Sequence, residues 1–231
     1  MPVGFQSFNE GNFIQIDADY KNYEFRQKGG FTIGPSNLAN GGSNLGTVTV
    51  TVTGTAPIIA INCDQFCYAS IRSISGKSFT FEIYNGNNFN IGGTFFIFDA
   101  SSPNPASNMG MQIFDGAGNL VFDAQKKYMK VLEYFSPPGS NADETHSYPG
   151  KTTAFVMCDY GYRFVVQASP TQPGNSSVRF LQSWLHLGRT PPNQFQVKDM
   201  ATFTNANANN NGQQSTTEYP SRWMILDVTN V

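Results

Sequence analysis

The chain has 231 residues, of which 13% are charged, with a net charge of -2, 20 Phe, 10 Tyr, 22 Gly and 13 Pro. No basic field is present to draw it to nucleic acid or to an anionic lipid surface, and no stretch approaches the length of a membrane span. The aromatic, β-branched and turn-forming content points to many short strands joined by turns.

The opening "MPVGFQSFNE" lacks the basic segment and apolar run of a signal peptide, which reads as a protein made and kept in the cytosol. The line "GFQSFNEGNFIQID" at 4–17 follows. Its apolar runs flank Asn9, Glu10 and Gly11, so it reads as a hairpin. An excursion at 29–46 precedes "TVTVTVT", where Val48, Val50 and Val52 share one face of a strand and threonines the other. Cys63, Cys67 and Cys158 are an odd number with no clustered histidine, which predicts reduced, buried thiols and neither a disulfide framework nor a metal site.

At 84–90, "YNGNNFN" mixes rings with amides, as loops that contact sugars or proteins do. Tyr84, Asn87 and Phe89 are its candidate contact residues; hairpin punctuation is the plain alternative. "FFIFDA" at 95–100 then leads to "DASSPNPASNMG", whose Pro and Ser suit an exposed joint.

Beyond the joint, "GMQIFDGAGNLVFD" at 110–123 repeats the opening line without a gap. Gly4 matches Gly110, Gln6 matches Gln112, Phe8 matches Phe114 and Asp17 matches Asp123. "AQKKYMKVLEYF" at 124–135 has a weak helical period ended by Pro137 and Pro138, but its counterpart after the first hairpin has none, so a strand is expected in both. "NADETHSYPG" at 141–150 offers His146 and Tyr148 as further candidate contacts. "FVMCDY" at 155–160 echoes "AINCDQ" at 60–65, and "WMILDV" at 223–228 echoes "FFIFDA".

Three echoes in the same order predict an all-β protein of two tandem β-sandwich domains, copy one at 1–105 and copy two at 106–231, arising by internal duplication. A single sandwich fused from two halves is the alternative. The longer second copy places an insertion at the Asn-rich 203–221. No nucleophile elbow or phosphate-binding loop is present, and "GKT" at 150–152 reads as a turn. Asp17, Asp99, Asp123 and Asp227 each close an apolar run at matching places, where turn capping explains them better than acid-base work. No catalytic, cofactor or metal residue is assigned.

The "GxQxF" hairpin line of 4–18 and 110–124 resembles the start of small minor tail proteins of tailed bacteriophages. The resemblance implies a non-enzymatic virion component of a tail tip, baseplate or fibre attachment, assembled in the host cytoplasm. Its implied partners are other tail subunits. The low charge content fits a homo-oligomer whose surface faces neighbours. Host attachment, through a surface glycan or protein at 84–90 or 141–150, is the alternative function.

Overall fold

A computed structural model of the chain describes residues 6–17, 22–36, 45–106, 109–136, 146–159, 162–170, 176–190, 194–206, 215–219 and 221–231, with side chains for all of these except Asp17 and 162–219. No helix occurs among them. The strands are β1 (Gln6–Phe8), β2 (Ile14–Asp17), β3 (Tyr23–Ile33), β4 (Gly46–Thr53), β5 (Ile58–Cys63), β6 (Cys67–Ser75), β7 (Ser78–Asn85), β8 (Ile91–Ala100) and β9 (Gln112–Phe114). Beyond them lie β10 (Leu120–Asp123), β11 (Val131–Phe135), β12 (His146–Ser147), β13 (Thr153–Asp159), β14 (Tyr162–Pro170), β15 (Ser176–Thr190), β16 (Gln194–Ala206), β17 (Ser215–Tyr219) and β18 (Arg222–Asp227).

The strands pair antiparallel. One large sheet has the order β11-β18-β13-β5-β8-β3 and the other β12-β16-β15-β6-β7-β4. The two chain halves expected as separate sandwiches therefore contribute to both sheets. Phe155 of β13 pairs Ile61 of β5, and Leu187 of β15 pairs Cys67 of β6. The physical reason is the core: Ile61, Phe81 and Ile83 from before residue 105 pack in one cluster with Phe135, Phe155, Trp223 and Ile225 from after it. A boundary at 105/106 would cut through that cluster.

Strand alternation explains the layers. Ile59, Ile61, Phe155 and Ile225 face the second sheet and build this inter-sheet core. Ala60, Phe96, Ala154, Val156 and Leu226 face the other way and form a second cluster, joined by Tyr23, Met129 and Val131. The six-stranded sheet curls around that cluster until its edges meet. Glu24 of β3 bridges Tyr128 just ahead of β11, with the N–H of Phe25 on the carbonyl of Lys127 at 2.7 Å and that of Met129 on the carbonyl of Tyr23 at 2.8 Å. Curling removes exposed strand edges. The other sheet ends on one side at β4, with its valines inward and threonines exposed as the alternation requires.

Two local features recur in both halves, the hairpin and one bulged ladder. The pairs Gln6–Asp17, Ser7–Ile16 and Phe8–Ile14 of the first hairpin recur as Gln112–Asp123, Ile113–Phe122 and Phe114–Leu120, with the irregularity at the same place. Asn12 takes a left-handed φ of 61° and its counterpart Gly118 one of 84°, a conformation that Gly and Asn tolerate best. The N–H of Phe13 is held by Asn9 Oδ1 at 2.9 Å, and that of Asn119 by Asp115 Oδ1 at 2.7 Å. The ladder of β3 with β8, bulged between Phe25 and Gln27, matches that of β11 with β18, bulged between Val131 and Glu133.

Two expectations are corrected. Cys63 and Cys158 are not equivalent: Cys158 sits at a bulge between Met157 and Asp159 and is exposed, whereas Cys63 is buried in a regular strand. The extra length of the second half is also more than an Asn-rich loop. It supplies β14 and β17, which pair with each other and extend the edge of β15. Residues 203–206 and 215–219 of the expected loop are strand, and 207–214 and 220 lie outside the described residues.

Candidate functional site

The five residues nominated from sequence fall into two groups. Tyr84 lies on β7 next to the end strand β4, while His146 lies on β12 at the opposite end of the same sheet, so they do not converge on one site. Tyr84 is stacked on Tyr68 with ring centroids 4.5 Å apart, and its hydroxyl donates to Glu82 Oε2 at 2.7 Å. Asn87 donates through its side chain to the Phe66 carbonyl at 2.9 Å and accepts the N–H of Ser36 on its own carbonyl at 2.7 Å. Both are committed to the fold. Phe89 is 48% exposed at the loop tip, where a contact residue would be.

His146 Nδ1 lies 2.9 Å from Glu133 Oε2, and its ring packs on Phe135 with centroids 4.3 Å apart. The Tyr148 hydroxyl donates to the same carboxylate oxygen. Burial first, then the Glu133 carboxylate, push this phenol far above its ordinary value, so it remains a hydrogen-bond donor at any physiological pH. Glu133 was not singled out in the sequence reading. Its signal was a lone acid inside the apolar run "VLEYF". The cluster pins the start of β12 to β11 and joins the edges of the two large sheets. Residues 141–145 of this candidate loop lie outside the described residues.

Asp99, Asp123 and Asp227 act as turn anchors, and the Asp17 side chain lies outside the described ones. Asp99 accepts the N–H groups of Thr55 and Ala56, each at 2.8 Å. Asp123 accepts those of Ala106 and Gln125, and Asp227 that of Thr229 together with the Lys151 ammonium at 2.9 Å. No group of three or more His, Cys, Asp or Glu placed to hold a metal occurs among the described residues.

The feature best placed to meet another molecule is the pair of hairpins. Neither β1–β2 nor β9–β10 pairs as a strand with a large sheet. Phe8 and Phe114, at matching register positions, are 49% and 52% exposed, and Ile14, Met109 and Met111 add apolar surface beside them. Comparison with family models, curated proteins and solved structures finds no match to this chain.

Proposed function

We propose that the chain is a non-enzymatic assembly component of a phage tail tip, baseplate or fibre attachment, a duplicated β-module that presents two equivalent hairpins to neighbouring virion subunits. The observation that carries this reading is the exposure of Phe8 and Phe114 at the same register position of hairpins outside both large sheets. Exposed apolar side chains on short hairpins whose turns are held by Asn9 and Asp115 offer apolar area for docking, and repetition offers the same contact twice. The resemblance of the "GxQxF" line to minor tail proteins supplies the setting. The matching ladder registers and bulges of the two halves support their origin by duplication.

Antibody raised against the purified chain and imaged on particles of the encoding phage tests the setting; label at the tail is expected, and particles that lack the chain would refute it. Phe8→Ser with Phe114→Ser tests the contact. The double variant is expected to fold and fail to incorporate, while incorporation at the normal level would remove the hairpins from the interface. Host adhesion is the second reading, carried by Phe89 alone, and Phe89→Ala would then abolish binding to susceptible cells.

A further inference from the structure

A cleft of about 630 Å³ opens between the first hairpin and the stretch that leads into β11. Its volume lies within the usual range of ligand sites. Phe8, Ile16, Phe122, Met129, Val131 and Leu132 give it an apolar lining. Side chains fix the hairpin that walls it: Asn9 Nδ2 and Gln15 Nε2 both donate to the Val131 carbonyl, at 2.7 and 3.2 Å.

Four of the chain's eight lysines line this cleft, Lys126, Lys127, Lys130 and Lys151, against one acidic side chain, that of Asp227. Lys126 is paired with Glu24 at 3.1 Å and Lys151 with Asp227 at 2.9 Å. Lys127 and Lys130 are exposed and have no acidic partner among the described residues. A local excess of positive charge on a chain of net charge -2 needs an explanation, since like charges on one rim repel. The two halves diverge here as well. The register of β3 with β8 and β11 with β18 sets Lys130 opposite Glu24 in the comparison of halves, and Glu24 is consumed by Arg26, Lys126 and the N–H of Ser102. Lys130 is directed to the cleft instead.

We propose that this cleft binds an acidic peptide segment of a partner protein, its apolar side chains on Phe8, Ile16, Met129 and Leu132 and its carboxylates on Lys127 and Lys130. The apolar lining selects against a ligand recognised by charge alone, and the lysines select against a purely apolar one. The site stands on its own geometry and does not depend on the chain's place in a particle.

The test is fluorescence anisotropy with a labelled eight-residue peptide alternating glutamate and leucine, beside the same peptide with glutamine for glutamate. Saturable binding of the acidic peptide, weakened by salt and at least tenfold tighter than that of the glutamine peptide, is expected. Lys127→Glu with Lys130→Glu, and separately Phe8→Ser, are each expected to weaken it at least tenfold, while Lys77→Glu on the β6–β7 turn leaves it unchanged. Lys127→Gln with Lys130→Gln serves if charge reversal disturbs folding. Absence of saturable binding, equal affinity for the glutamine peptide, or unchanged affinity in the cleft variants would overturn the proposal. So would a sulfated polysaccharide that binds tightly at the same lysines when the peptide does not, which would make the site a glycan site.

Discussion

Lys126 Nζ lies 3.1 Å from Oε2 of Glu24, joining the stretch ahead of β11 to β3, and the two side chains are only 6% and 14% exposed. Lys126 also donates to the Ser102 carbonyl at 2.9 Å, and the Glu24 carboxylate takes the N–H of Ser102 at 3.1 Å. The pair thus sits where the six-stranded sheet closes on itself. Removing Lys126 leaves the Glu24 carboxylate only the partly exposed Arg26 at 3.3 Å, at a cost of about 2 kcal/mol, less than when a buried charge loses its sole partner. Lys126→Met is therefore expected to lower unfolding free energy by about that amount in urea titration. A loss below about 0.5 kcal/mol, the range of an exposed pair, would show that the closure does not depend on it.

Asp123 is buried, and the N–H of Gln125 before all else, with that of Ala106 and the Gln112 amide, holds its carboxyl below the ordinary value of 3.8. A depressed folded-state pKa adds stability that is fully present above the unfolded value and lost as pH falls through the folded one. Asp115 and Asp227 are lowered as well and titrate in the same direction. Stability is expected to hold down to about pH 4 and to drop below it. Asp123→Asn should flatten part of that drop in denaturation curves taken from pH 6 to pH 2; an unaltered acid limb would assign it to other carboxylates.

Cys63 and Cys67 are 2% and 0% exposed, and burial, with the Cys63 thiol beside it, pushes the Cys67 thiol well above 9.0. Cys158 is exposed at its bulge, although partial burial of its thiol raises it too. Since the thiolate is the reactive species, a thiol reagent at neutral pH should label Cys158 alone, slowly and faster as pH rises. Mass spectrometry should find Cys63 and Cys67 modified only after denaturation. Labelling of either in the native protein would mean that the turn between β5 and β6 opens readily.

Trp223 is fully buried, its indole N–H donating to Ser221 Oγ at 2.7 Å and its ring edge-on to Phe155 at 5.9 Å. Truncation to alanine leaves a large cavity in the core shared by both halves and is expected to cost about 4 kcal/mol. Ser221→Ala leaves a buried donor without its acceptor and should cost about 1–2 kcal/mol. Equal effects of the two variants in thermal unfolding would indicate that the hydrogen bond, rather than the packing, holds β18.

Local chemistry is what the amino-acid sequence by itself determined. The alternation of "TVTVTVT", the turn residues of both hairpins and their repeated register follow from φ/ψ preferences and strand period, which act over a few residues. Asn12 and Gly118, different residues in one left-handed position, show how far that local specification reaches. The all-β class follows from the same signals.

Only the tertiary structure decided how the halves combine. Sheet pairing between Ile61 and Phe155 joins residues far apart in the chain, and such contacts depend on which apolar faces share a core, which no local pattern records. A strand period shows that Ile59 and Ala60 face opposite ways but cannot say that one meets the second sheet and the other an enclosed cluster. Glu133 was passed over for the same reason: its two partners, His146 and Tyr148, reach it across a loop and from a different strand. In sequence, "AQKKYMKVLEYF" reads as a strand, and its lysines point to no site. Packing the first hairpin against Val131 turned that stretch into the wall of a cleft, because hydrogen bonds from Asn9 and Gln15 bring together segments that the chain keeps more than a hundred residues apart.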